Sequence, residues 1–158
     1  MIPENLSSFR LILASKSPRR HFLMNELGLR FEISDLHEVE EVYPPELNKY
    51  EVPVFLSELK SSSYNKPLSN NEILITSDTI VWFRDRVINK PIDRKDAINI
   101  LSELSGNMHE VITGVSLRTF KCTKSFFSHS EVYFSELRKT EIEPYVDTFQ
   151  PFDKAGAY

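Results

Sequence analysis

The run Leu11-Ile12-Leu13-Ala14 constrains this chain more than any other stretch. It is apolar at successive positions. A strand built from it buries both faces, and such strands belong to the interior of sheets covered by helices. The run stops at Ser15-Lys16-Ser17-Pro18-Arg19-Arg20, where Ser17 suits a helix N-cap and Pro18 the first helical position. Phe22, Leu23 and Leu27 then recur at helical spacing, and Gly28 supplies the stop. The opening unit therefore reads strand, tight loop, helix, with two arginines in the first helical turn.

The rest of the chain alternates in the same way. Phe31–Ser34 reads as a short strand, and an acidic stretch holding His37, Glu38, Glu40 and Glu41 runs as a loop to Pro44-Pro45. A helix starting near Val52-Pro53 carries Val54, Phe55, Leu59 and Lys60, and residues 61–71 read as a polar surface loop. Ile73-Leu74-Ile75 is a second buried strand, running into Thr76-Ser77-Asp78-Thr79. Ile80-Val81-Trp82-Phe83, a polar turn at Arg84-Asp85 and Val87-Ile88 read as a hairpin, followed by Asn89-Lys90-Pro91. Asp93 caps a helix over Arg94–Leu104, with Ala97, Ile98, Leu101 and Leu104 on one face and Gly106 after it. Residues 111–117 and 126–134 read as strands, with a polar turn near 121–124. Thr140-Glu141-Ile142-Glu143 is a capping-box pattern for a helix through about Phe149. This order predicts an α/β domain, a mixed sheet flanked by helices.

Composition narrows the function classes. The 158 residues suit one domain with a core of its own. Lys and Arg total 19 against 23 Asp and Glu, a formal charge of −4, so there is no basic face for nucleic acid and direct binding to it is not expected. A single cysteine, Cys122, excludes a disulfide framework and a cysteine zinc site and suits a reducing compartment. No apolar run approaches the ~20 residues of a membrane span, and Met1-Ile-Pro-Glu-Asn-Leu-Ser-Ser lacks the pattern of a signal peptide. A cytoplasmic protein is expected.

Several residues admit a chemical reading beside a plain one. Ser15, Lys16, Ser17, Arg19 and Arg20 sit where free amides and the helix dipole favour an anion, though a Ser-Pro cap with two solvated arginines explains the string as well. Asp78, at the end of a predicted strand, is either a carboxylate facing a ligand crevice or a turn-forming cap. Glu38, Glu40 and Glu41 either hold Mg²⁺ or form a solvated acidic loop. Lys60 and Lys90, taken singly, read as surface lysines. The four histidines, His21, His37, His109 and His129, lack the spacing of a zinc hydrolase, and no G-x-S-x-G elbow is present.

In combination these segments resemble the Maf-like nucleotide pyrophosphatases. The resemblance is carried by Leu13-Ala14-Ser15-Lys16-Ser17-Pro18-Arg19-Arg20 with Leu27-Gly28, and by Thr76-Ser77-Asp78-Thr79-Ile80-Val81. Asn89-Lys90-Pro91, the segment from Leu101 to Gly106, His109 with Ile112-Thr113-Gly114-Val115, and Lys154-Ala155-Gly156-Ala157-Tyr158 continue it. It implies a single domain over residues 1–158, a fold like that of the inosine-triphosphate pyrophosphatases, two lobes around a cleft, a homodimer and a divalent cation, Mg²⁺ or Mn²⁺. It implies hydrolysis of a nucleoside triphosphate to the monophosphate and pyrophosphate, in the branch acting on dTTP and UTP rather than 7-methyl-GTP. Asp78 matches the family's general base and Glu41 its acidic loop residue, the two metal ligands. Lys90 joins them as a catalytic cation. Ser15, Arg20 and Lys60 match residues that hold the triphosphate, and Arg19 and Thr79 match positions tied to base preference. Lys60 stands in Ser57-Glu58-Leu59-Lys60-Ser61 where the family has Glu-Lys-Ala, and Asn89 stands in place of a glycine. The family pattern continues beyond Tyr158 with a glutamine that contributes to base preference, so the sequence reads as ending inside a motif. A non-catalytic nucleotide-binding regulator of cell division, acting through a protein partner, is the alternative the same family suggests.

Overall fold

The computed structural model describes Leu6 and residues 8–35 and 39–158. Met1–Asn5, Ser7, Leu36, His37 and Glu38 lie outside the described residues, and with them part of the N-terminal reading and of the acidic cluster. The elements in chain order are β1 (Arg10–Ala14), α1 (Pro18–Glu26), β2 (Phe31–Ser34), α2 (Glu51–Ser63), β3 (Glu72–Phe83) and β4 (Arg86–Ile88). Then follow α3 (Arg94–Leu104), β5 (Met108–Arg118), β6 (Thr123–Tyr133), α4 (Lys139–Phe149) and short 3-10 turns at Pro151–Asp153 and Ala155–Ala157. The hydrogen-bonded strand order is β2-β1-β3-β5-β6, with β4 on β3. β1 runs parallel to both β2 and β3, and β4 antiparallel to β3, which makes the sheet mixed.

The chain divides into two compact units, Met1–Asp78 with Gly114–Phe127 and Thr79–Thr113 with Ser128–Tyr158. In the first, β1 lies between β2 and β3, which explains its unbroken apolar run: Leu11, Ile12, Leu13 and Ala14 are all buried. Ile12, Ala14 and Leu74 pack with Tyr64, the residue after α2. α2 presses Val52, Pro53, Leu56, Ser57 and Ser61 inward. A glycine permits this closeness, because a Cβ on Gly114 of β5 would stand 2.2 Å from the backbone of Pro53. In the second unit, α3 places Ala97 and Leu101 against Ile142 and Val146 of α4, and Leu104 packs with Val81, Phe83 and Ile88.

Four expectations are corrected. Ser17 occupies the cap position of α1, but its side chain makes no capping bond; its own N–H is bonded to Ser15 Oγ at 3.1 Å. The α1 stripe is real in spacing but unburied, with Phe22, Leu23 and Leu27 each about 60% exposed. Asp78 does not end a strand. β3 runs twelve residues without a break, because its polar stretch finds partners: Thr76 Oγ1 donates to the Ser57 carbonyl at 2.7 Å and Thr79 bonds Thr113. The cap of α4 lies two residues before the expected Thr140, at Arg138, whose N–H is on Glu141 Oε2 at 2.8 Å. The Arg84-Asp85 turn stands as expected, both residues at positive φ as a tight two-residue hairpin requires.

Candidate active site

The loop from β1 into α1 is short because a buried strand must hand over to a helix within three residues. Ser15 is 4% exposed, and its hydroxyl accepts from the Ser17 N–H and faces Arg20 Nη1 at 3.4 Å, long for a hydrogen bond. Across the loop, the ring Nε2 of His21 lies 2.7 Å from the Ser15 carbonyl oxygen. Pro18 opens the helix and brings no N–H of its own, and the Arg20 N–H is bonded to the Ser17 carbonyl at 3.1 Å.

Asp78 reaches the same unit from the middle of β3, buried at 7% exposure. Its Oδ1 is hydrogen-bonded to Lys60 Nζ, delivered by the last turn of α2. Lys60 Nζ also holds Glu41 Oε1 at 2.8 Å. One ammonium thus gathers a buried carboxylate and a half-exposed one. Lys60, plausible from sequence as a surface lysine, is in fact enclosed, its side chain 15% exposed.

The charges act on one another. Burial raises the Asp78 carboxyl above the ordinary carboxylate value and Glu41 pushes the same way, while Lys60 and Arg20 oppose. Burial lowers the Arg20 guanidinium, against the pull of Asp78 and Glu41. A carboxylate desolvated yet held by an ammonium is the kind of group that can take up a proton. Its Oδ2 makes no hydrogen bond among the described residues.

Hard oxygen donors suit Mg²⁺, which takes one or two carboxylates and completes its shell with phosphate oxygens and water. Asp78 and Glu41 fit that demand, since both already converge on one cation. No group of three or more potential His, Cys, Asp or Glu ligands exists among the described residues, so a metal here would need substrate oxygens.

Ser15, Arg20, Glu41, Lys60 and Asp78 are therefore brought together in the first unit. Arg19 is exposed beside Arg20, and Glu40 is exposed and outside the cluster. Thr79 and Lys90 belong to the second unit. There Thr79 Oγ1 shares a 2.9 Å bond with Thr113 Oγ1, and Lys90 is exposed after β4. Thr113 and His21 were missed as structural partners from sequence; each lies across a turn or strand from its partner, and no local spacing announces such a contact.

A sequence model of the family described as Maf-like protein matches residues 10–158. A protein of Bacteroides thetaiotaomicron named dTTP/UTP pyrophosphatase is 46% identical over 98% of this chain and 80% of its own length. One of the same name from Flavobacterium johnsoniae is 42% identical over 100% of this chain and 81% of its own. Among solved structures, the Staphylococcus aureus Ham1 protein aligns with a TM-score of 0.52 at 14% identity, over 78% of this chain and 71% of that one, a likeness of fold.

Proposed function

Because the chain belongs to the Maf-like protein family, we propose that it hydrolyses the α–β phosphoanhydride of dTTP and UTP, releasing the nucleoside monophosphate and pyrophosphate. The observation that carries this reading is the buried Asp78 held by Lys60, with Glu41 on the same ammonium and Arg20 nearby. The names of the similar proteins supply the substrate class.

Asp78 takes the proton from a water aligned on the α-phosphorus, through the oxygen Lys60 leaves open. Lys60 fixes the carboxylate plane and steadies its charge before the transfer. The water oxygen bonds the α-phosphorus as the α–β bridging P–O bond breaks, and the electrons of that bond leave on pyrophosphate. Arg20, with its planar fork at the positive end of the α1 dipole, holds the growing negative charge, and Ser15 positions Arg20. A divalent cation on Asp78 and Glu41 would supply charge neutralisation for the triphosphate. Arg19, Thr79 and Lys90 enter on the sequence resemblance alone, Lys90 as a phosphate cation and the other two in base preference. A cytoplasmic homodimer belongs to the same proposal, and no helix among the described residues is long and apolar enough to cross a membrane.

The test is pyrophosphate release by this chain from a panel of nucleoside triphosphates with Mg²⁺ or Mn²⁺, beside sedimentation to read its assembly. Release highest from dTTP and UTP is expected. Nucleotide binding without release from any of them would overturn the catalytic reading.

A further inference from the structure

The bond between Thr79 and Thr113 is unused by the chemistry above. Both residues belong to the second unit and stand on β3 and β5, which are neighbours in the sheet. Their Oγ1 atoms lie 2.9 Å apart, and both residues are half-buried. Residues two apart along a strand share a face. Val81 and Phe83 follow Thr79 on its face and pack with Ile88 and Leu104, and Val111 precedes Thr113 and packs against the same cluster. The pair is thus the first polar layer past an apolar one. Valine favours strands as threonine does, so what the two threonines add is a pair of hydroxyls at the end of the packed face.

The bond decides what Thr79 presents. A threonine Cβ carries a hydroxyl and a methyl, and a 120° turn about χ1 puts the methyl where the hydroxyl stood. The partner on β5 favours the rotamer that keeps Oγ1 toward it. A hydroxyl has one proton and two lone pairs, so a single bond to Thr113 leaves it capacity for a second polar group.

We propose that Thr113 is a positioning residue for base selection, holding the Thr79 hydroxyl in the rotamer that meets the polar edge of the base. The inference rests on the reading of Thr79 as a base-preference position and assigns Thr113 no contact with substrate. The proposed substrates, dTTP and UTP, share an edge of O2, N3–H and O4. Cytosine replaces N3–H by a bare acceptor and O4 by an amine. A hydroxyl fixed in place separates these patterns, whereas one that exchanges with a methyl does so less well, because the wrong base then leaves fewer polar groups unpaired.

The experiment compares the wild type, Thr113→Val, Thr113→Ser and Thr79→Val by kcat/KM for pyrophosphate release from UTP and from CTP, with thermal melting alongside. The readout is the UTP-to-CTP ratio, which a partial loss of folded enzyme does not move, since both substrates meet the same folded fraction. Thr113→Val is expected to lower the ratio about tenfold, the size one hydrogen bond allows. Thr113→Ser keeps the hydroxyl and is expected to stay within about twofold of the wild type. Thr79→Val is expected to lower the ratio at least as far as Thr113→Val, and the double variant no further than Thr79→Val alone. A wild-type ratio in Thr113→Val beside a lowered one in Thr79→Val, or equal losses in Thr113→Val and Thr113→Ser, would overturn the proposal and leave the Thr79 reading in place. An unchanged ratio in Thr79→Val, or a wild type with no preference for UTP over CTP, would overturn the Thr79 reading and the proposal together.

Discussion

α1 and α3 are written in the same code and used for different purposes. Each is an amphipathic helix with apolar residues at helical spacing, a starting residue suited to its end, and a glycine just past its last turn. α3 buries Ala97, Leu101 and Leu104 and caps itself with Asp93 Oδ1 on the Asp96 N–H at 2.7 Å. α1 buries nothing, and its cap residue Ser17 makes no side-chain capping bond. A helix whose stripe is packed contributes stability. One whose stripe is exposed contributes little packing, and the two arginines in its first turn fit the phosphate role proposed above.

The largest effect that would sharpen this contrast lies beside α1. Asp78→Asn should lower turnover by about 10²–10⁴-fold, the range of a lost general base, while tripolyphosphate binding survives; stopped-flow pyrophosphate detection would read it. In the wild type the acid limb of kcat/KM should lie above the ordinary Asp value of 3.8, because burial raises this carboxyl, and the limb should be missing from the residual activity of the variant. Near-normal turnover in Asp78→Asn would remove the chemical half of the comparison.

Next in size is a change on the packed helix. Leu104→Ala empties a fully buried position and should cost about 2–5 kcal/mol in urea unfolding. A loss below about 1 kcal/mol would mean that α3 is not the packed partner in this pair.

A smaller effect depends on pH. His109 of β5 is 1% exposed, with Nε2 on Tyr158 Oη at 2.7 Å, and burial lowers its pKa from the ordinary 6.5. The unfolded chain therefore takes up a proton that the folded chain refuses. His109's contribution is complete above about pH 6.5 and is lost as pH falls through the lowered folded value. Melting temperature should drop further on acidification in the wild type than in His109→Gln. Parallel pH curves would show that this core is not proton-linked.

The smallest expected effect is on the exposed stripe. Leu23→Ala in α1 should change stability by no more than about 0.5 kcal/mol, since Leu23 is 60% exposed. A cost comparable to that of Leu104→Ala would show that the α1 face is covered in solution and erase the difference between the helices.

Much of this architecture was legible from local pattern. The apolar run of β1, the Asp93 start of α3 and the polar turn at Arg84-Asp85 are rules of near neighbours, and they hold. The candidate site was legible only in part. Arg20, Lys60, Glu41 and Asp78 were named from a resemblance, but Lys60 taken singly looked like a solvated lysine and Asp78 like the end of a strand. Both impressions fail for one reason: each side chain is the other's partner across 18 residues, and a polar residue in a strand looks like a break until its distant partner is in view.

The sequence by itself determined which segments are helix and which are strand, because backbone sterics, side-chain period and capping act within a turn or a pleat. It also determined the family, through strings of residues read in order. The tertiary structure alone decided which apolar stripe is buried, how far β3 continues, and that one ammonium holds two carboxylates. Those outcomes depend on what the fold places opposite each side chain, and burial, ion pairing and a shifted carboxyl all arise from neighbours that the local pattern does not contain.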